Sequence, residues 1–329
     1  MKKLINDVDA MLSESLDGFA AAHADIVTLG EAGQFVRRAA PKPGKVALIS
    51  GGGSGHEPLH TGFVGHGMLD AACPGQVFTS PTPDQMLAAA QAVDTGAGVL
   101  FIVKNYSGDM MNFQMAAEML DCDNETVIVN DDVAVENSTY TTGRRGVAGT
   151  LVVEKIVGAA AERGDSLQQL KALGDAVNKA TASMGVALTS CTVPAAGKPT
   201  FQIGEHEMEM GVGIHGEPGR RRVKLASADE IAAELTGAIL KDLSLKAGQE
   251  VLLLVNGFGG TPMLELYLMV NAVRKVLAGH QLKVARHLTG SYVTSLEMAG
   301  CSVTVSALDS AQLALWDAPV HTAALRWGM

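Results

Sequence analysis

Apolar residues in this chain gather in short dense runs, set apart by glycine- and proline-rich turns, with amphipathic stretches between them. Residues 46–49 form one such run, too short for a helix and bounded by glycines, and read as a buried strand of a parallel sheet. Residues 96–104 (GAGVLFIVK) and 126–129 repeat that character. Helical spacing appears instead at Leu4, Val8, Met11, Leu12, Leu16 and Phe19, which predicts an amphipathic helix over 4–22. Further helices are predicted over 85–93, 113–120, 147–162 and 166–184. This alternation of strand, loop and helix predicts a mostly parallel sheet with helices on both faces.

Near Gly185 the pattern restarts, with a strand over 186–189 and a Pro/Gly-rich connection, Thr192-Val-Pro-Ala-Ala-Gly-Lys-Pro199. A helix over 228–240 follows, with Ser227 and Glu230 spaced as a capping box. Strands over 250–255, 282–288 and 302–306 and a helix over 263–277 complete this half, and the tail from Leu315 reads as a covering segment. The fold class is therefore α/β in two domains. Residues 1–183 are expected to form a three-layer α/β/α unit around a mostly parallel sheet. Residues 184–329 are expected to form a smaller two-layer α/β unit with a mixed sheet.

Composition narrows the function classes. Of 329 residues, 47% are apolar and only 18% charged, which indicates a folded chain with ample core. A formal net charge of −10 and 4% aromatic residues argue against nucleic acid as a partner. Cys73, Cys122, Cys191 and Cys301 show no C-x-x-C pairing, so a disulfide framework is not expected and a reducing cytoplasm fits. No apolar run reaches the roughly 20 residues of a membrane helix, and no signal peptide is expected at the amino terminus.

Every strand of the first half ends in a polar or glycine-rich loop: Gly51 to His56, Asn105 to Asp109, and Asn130 to Asp132. Strand ends of a parallel sheet lie along one edge, so these loops can meet in a ligand site. Four glycines at 51, 52, 53 and 55 suggest a sharp turn with close approach of the backbone, and Pro58 suits a helix start. Glycine-flanked histidines recur in Gly53-Ser-Gly-His56-Glu-Pro and Gly211-Val-Gly-Ile-His215-Gly-Glu-Pro, one in each half. Each could be a hydrogen-bonded structural histidine. Their open, glycine-rich surroundings favour a site. Asp109 could cap a helix or face the same pocket, and Lys104 could be a surface lysine or a ligand contact. Arg144, Arg145 and Arg220 to Arg222 read as solvated.

Several short patterns fail on physical grounds. His56-Glu57-Pro58-Leu59-His60 matches H-E-x-x-H, but Pro58 disfavours the continuous helix that zinc binding needs. The glycines do not complete G-x-G-x-x-G, and no G-x-x-x-x-G-K-S/T occurs.

With these segments assembled, the chain resembles the family of dihydroxyacetone-binding (K) subunits of bacterial dihydroxyacetone kinases, phosphotransferase-linked type. The resemblance runs from Met1 to Thr322. It rests on Ser50-Gly-Gly-Gly-Ser-Gly-His-Glu-Pro58, Val103-Lys-Asn-Tyr-Ser-Gly-Asp109, Cys191-Thr-Val-Pro-Ala-Ala-Gly-Lys-Pro199 and Gly211-Val-Gly-Ile-His-Gly-Glu-Pro-Gly219. It implies that His215 adds through its imidazole to the ketone of dihydroxyacetone, giving a covalent hemiaminal. It implies substrate contacts from Gly53, Ser54, Gly55, His56, Lys104 and Asp109, with His56 as general base. No cofactor is implied on this chain: ADP or ATP and Mg²⁺ are expected on a partner L subunit, which an M subunit rephosphorylates. A homodimer is expected as well. The stretch between Gly219 and Glu250 is shorter than the family pattern. Two other readings stay open: a dihydroxyacetone-sensing co-regulator, and a kinase subunit for a four-carbon ketose such as erythrulose.

Overall fold

The computed structural model describes residues 2–134 and 143–329. In chain order the elements are α1 (Met11–Ala22), β1 (Val27–Leu29), β2 (Val36–Arg38), β3 (Ala47–Ser54), β4 (Gly65–His66), β5 (Ala71–Val77), α2 (Pro83–Val93), β6 (Val99–Lys104), α3 (Ser107–Glu118), β7 (Asn124–Val129), α4 (Gly149–Arg163), α5 (Leu167–Lys179) and β8 (Thr181–Ala187). There follow β9 (Glu207–Met210), β10 (Arg221–Lys224), α6 (Ala228–Leu243), β11 (Glu250–Gly257), α7 (Met263–Gly279), β12 (Lys283–Gly290), β13 (Gly300–Ser306), α8 (Ser310–Asp317), β14 (Val320–Thr322) and β15 (Arg326–Trp327).

Two six-stranded sheets carry the fold, ordered β1-β2-β5-β3-β6-β7 and β10-β9-β8-β13-β11-β12. In the first, β5, β3, β6 and β7 run parallel and β1 and β2 form an antiparallel edge. In the second, only β11 and β12 pair in parallel, so it is mixed.

The side-chain alternation of the strands explains how the layers stack. Leu48 of β3, Leu100 and Ile102 of β6, and Leu252 and Leu254 of β11 share one core with α4. The intervening residues Ile49, Phe101 and Val103 turn to the opposite face, against α2 and α3. On the second sheet Val251, Leu253 and Val255 turn outward against α6 and α7. Helix α4 thus lies between the two sheets, touching strands of both. Leu151, Val152, Val153, Ile156 and Val157 are all fully buried, and a helix apolar all round suits that position. Each such side chain contributes about 1.5–3 kcal/mol of burial.

The glycine tract differs from the sequence expectation. Gly51, Gly52 and Gly53 do not turn the chain; they continue β3 and pair with Cys73, Pro74 and Gly75 of β5. Pro58 starts no α-helix, since the chain turns there and makes only a short 3-10 segment at Thr61–Phe63. The helix expected over 166–184 ends at Lys179, and β8 begins at Thr181, just before position 183. Arg221 to Lys224 form an edge strand, in which Arg222 pairs with Glu209 across the ladder at 3.0 Å. The tail returns to the first half: α8 packs on α4, and β14 pairs with β4. No helix among the described residues is long and apolar enough to cross a membrane.

Candidate functional site

A cavity of about 440 Å³ opens at the ends of β3 and β6, lined by Gly53, Phe78, Ser80, Tyr106, Asp109 and His215 among others. His215 lines this cavity and His56 packs directly behind it, although 159 positions separate the two in sequence (215 − 56). Their rings lie edge to face, with centroids 4.8 Å apart. Tyr106 and Phe78 also set their rings edge-on to His215, and Phe78 stacks on His56.

The hydrogen bonds fix what His56 can do. Its Nδ1 lies 2.7 Å from the carbonyl oxygen of Thr294, an atom that only accepts. Nδ1 therefore carries the proton, and Nε2, buried without a partner, holds a free lone pair. Burial first, then the neighbouring His215 ring and the Lys104 charge, hold the His56 imidazole well below its ordinary pKa, so it is neutral. His215 is neutral too: burial first, then Lys104 and Arg145, push its pKa down to about 3. Its Nδ1 is buried and makes no hydrogen bond. Two neutral imidazoles thus lie in contact, His215 on the wall of the cavity. Neutral imidazole is the form that acts as nucleophile or base.

Lys104 ends β6 completely buried. Its Nζ donates to the Gly51 carbonyl at 3.2 Å and to His60 Nε2 at 2.8 Å, and lies 3.8 Å from Asp109 Oδ2. Asp109 sits in the first turn of α3, two residues past the start, and accepts from the Ser80 hydroxyl. Burial pushes the Asp109 carboxyl up, against Lys104 and Ser80, which pull it down. The glycines make this approach possible. A Cβ at Gly52 would lie 2.4 Å from Lys104 Nζ, and one at Gly53 only 2.5 Å from the Thr79 backbone nitrogen. Gly52→Ala is therefore expected to displace Lys104 and destabilise the fold by about 1–3 kcal/mol, read by denaturant unfolding. A change below a few tenths of a kcal/mol would show that Lys104 has slack.

Of the remaining expected site residues, Ser54 is buried and spends its hydroxyl on the Gly75 carbonyl at 2.7 Å. Gly55 takes φ +100°, and its carbonyl accepts from Leu296 N and the Thr294 hydroxyl. Ser54 and Gly53 also border a second cavity of about 400 Å³ beneath α1.

The comparisons bear on this geometry. The Dak1 domain model matches residues 17–324. The chain belongs to the Dak1 family. Among its relatives, the "PEP-dependent dihydroxyacetone kinase, dihydroxyacetone-binding subunit DhaK" of Escherichia coli is 49% identical, with all of both chains covered. Among solved structures, a "dihydroxyacetone kinase operon co-activator" is 34% identical at TM-score 0.89, covering 95% of this chain and 97% of that one. The dihydroxyacetone kinase of C. freundii, in complex with AMP-PNP and Mg²⁺, is 34% identical at TM-score 0.87. That match covers 98% of this chain and 60% of the kinase.

This Dak1 chain also places residues at the site that sequence reasoning passed over. Arg145 is not solvated: it is 1% exposed. Its guanidinium donates to Asp132 Oδ2 at 2.7 Å, to Glu217 Oε1 at 2.9 Å and to the Gly211 carbonyl at 2.7 Å. Glu217 in turn accepts from the His215 backbone N–H at 3.0 Å, so Arg145 anchors the loop that carries His215. Burial raises the Asp132 carboxyl to about 6 in spite of Arg145. Arg145→Ala is expected to cost about 3–5 kcal/mol in unfolding free energy, because it strands buried carboxylates. A loss under about 1 kcal/mol would contradict this anchoring. Ser80 and Tyr106 line the cavity and Thr294 holds His56, and of these the sequence marks only Tyr106, within the stretch from Val103 to Asp109.

Proposed function

We propose that this chain is the dihydroxyacetone-binding subunit of a phosphoenolpyruvate-dependent dihydroxyacetone kinase, capturing its ketose covalently on His215. The observation that carries this reading is the pair of neutral histidines, one from each half, in edge-to-face contact, with His215 and Asp109 on the wall of a small cavity. An imidazole nitrogen of His215 adds to the ketone carbon. The C=O π bond opens, the carbonyl oxygen takes up a proton, and the imidazole gives up its own N–H proton. The product is a neutral hemiaminal, formed without oxidant or leaving group. A polyol such as glycerol has no carbonyl and is not captured.

His56 then acts on the bound ketose as a base. Its Nε2 lone pair accepts the proton of the hydroxyl that attacks the phosphoryl group. Asp109 and Lys104 bind the ketose hydroxyls, and the Gly53 to Gly55 backbone allows close approach. The nucleotide and Mg²⁺ belong to a separate L subunit, where the metal neutralises charge on the transferred phosphoryl group. The E. coli relative, itself named a dihydroxyacetone-binding subunit, supports this division. An M subunit would recharge the L-bound nucleotide, and the chain would work as a cytoplasmic homodimer.

Similarity to an operon co-activator supports a second reading, a dihydroxyacetone sensor without kinase activity. One assay separates them. Mixed with its cognate L and M subunits and phosphoenolpyruvate, the chain is expected to support formation of dihydroxyacetone phosphate, and to give none with ATP alone. Tight dihydroxyacetone binding without turnover would favour the sensor. Faster turnover of erythrulose would move the substrate to a four-carbon ketose.

A further inference from the structure

Beneath the cavity, two buried titratable residues take no part in the steps above. His60 and Glu154 are 5% and 0% exposed. Glu154 projects from α4, and its Oε1 lies 2.6 Å from His60 Nδ1. His60 Nε2 faces Lys104 Nζ at 2.8 Å, and Lys104 faces Asp109 at the cavity wall. The four residues form one line from the central helix to the ligand site.

The proton positions along this line are constrained. An ammonium at Lys104 has only donors, so His60 Nε2 must accept. The single ring proton then sits on Nδ1 and is given to Glu154 Oε1. The other Glu154 oxygen, Oε2, is buried without a partner. We propose that His60 and Glu154 are positioning residues for the ketose site: Glu154 fixes the His60 tautomer, and His60 holds Lys104 as an ammonium ion beside Asp109. This assignment rests on reading the cavity as a ketose site.

Charge considerations agree. Burial lowers the Lys104 pKa, and the two carboxylates, Asp109 from α3 and Glu154 from α4, raise it. Burial pushes Glu154 up to about 8, against Lys104 and Ser50, so it is on the alkaline side that Glu154 is the carboxylate that accepts from His60 and faces Lys104. The other titratable groups near the line are His56, His215 and Tyr106. Burial keeps both histidines neutral and pushes the Tyr106 hydroxyl up, so none adds charge near neutral pH. Removing the Glu154 carboxylate leaves Lys104 with one anion fewer. Its proton is then lost at lower pH.

The test measures dihydroxyacetone affinity of the full chain by calorimetry across pH, in wild type and Glu154→Gln. Glutamine keeps an acceptor for His60 but not the charge. Affinity is expected to agree within about twofold near pH 6, where Glu154, pushed up to about 8, is uncharged in wild type as in the variant. On the alkaline side the falling limb of the variant is expected about one pH unit lower, a loss of about tenfold there. Superimposable profiles, or a uniform loss at every pH, would overturn the proposal, the latter marking a merely structural residue. If Glu154→Gln does not fold, His60→Asn should move the same limb the same way. Nitrogen NMR of the wild-type His60 ring above pH about 8, where Glu154 is ionised, decides independently of any ketose. A proton on Nδ1 is expected, and one on Nε2 overturns the assignment. Absence of dihydroxyacetone binding by wild type would instead defeat the ketose reading, while the NMR result still judges the positioning pair.

Discussion

His56→Ala is expected to keep the covalent adduct on His215 while turnover with the partner subunit falls by about 10²–10⁴-fold, the usual worth of a positioned base. The His56 ring makes one hydrogen bond, to Thr294, and leaves Nε2 with a lone pair for the reacting hydroxyl. Alanine removes the lone pair but not the nucleophile, because His215 lies in a different loop, anchored through Glu217 and Arg145. Capture and phosphoryl transfer should therefore separate in this variant. Intact adduct with turnover within about tenfold of wild type would mean that another group takes the proton.

His215→Asn has the complementary outcome. Adduct formation is expected to vanish, and dihydroxyacetone affinity to fall by at least about a hundredfold, roughly 3 kcal/mol. The fold should tolerate the change: His215 Nδ1 has no hydrogen bond to lose, and the backbone N–H to Glu217 is kept. Discrimination against glycerol should disappear with the adduct. The acid side of the profile follows from the depressed pKa. Below its pKa a histidine loses its nucleophile. With that pKa pushed down to about 3, capture by wild type should stay flat as pH falls from about 8 to about 5. An acid limb near 6.5, the ordinary histidine value, would place His215 in solvent instead.

Strands β3 and β6 were legible because they begin as unbroken apolar runs, which a strand buried on both faces requires, whereas β7 shows such a run only at its end, Val127 to Val129. The two histidines stood out for their glycine-flanked settings, although in the fold both rings are packed against Phe78 rather than open. The glycine tract itself was not. Read locally, Gly51 to Gly53 spell a turn, and only their pairing with β5 keeps them extended. Strand β5 was missed for the same reason, since Pro74 and Gly75 look like breakers until β3 lies beside them. Arg145 shows most clearly what a local window hides. Its neighbours suggest a surface loop, but its partners Glu217 and Gly211 come from the other half of the chain. Likewise the carbonyl that sets the His56 tautomer belongs to Thr294. His60 fails as a zinc ligand, and its actual partner, Glu154, lies on a helix whose pattern shows only burial.

Covalent capture is the claim on which the rest turns. A crystal soaked in dihydroxyacetone tests it most directly. Continuous density from the His215 imidazole to a tetrahedral ketose carbon is the predicted result; a planar ketone lying free beside an unmodified His215 would contradict it.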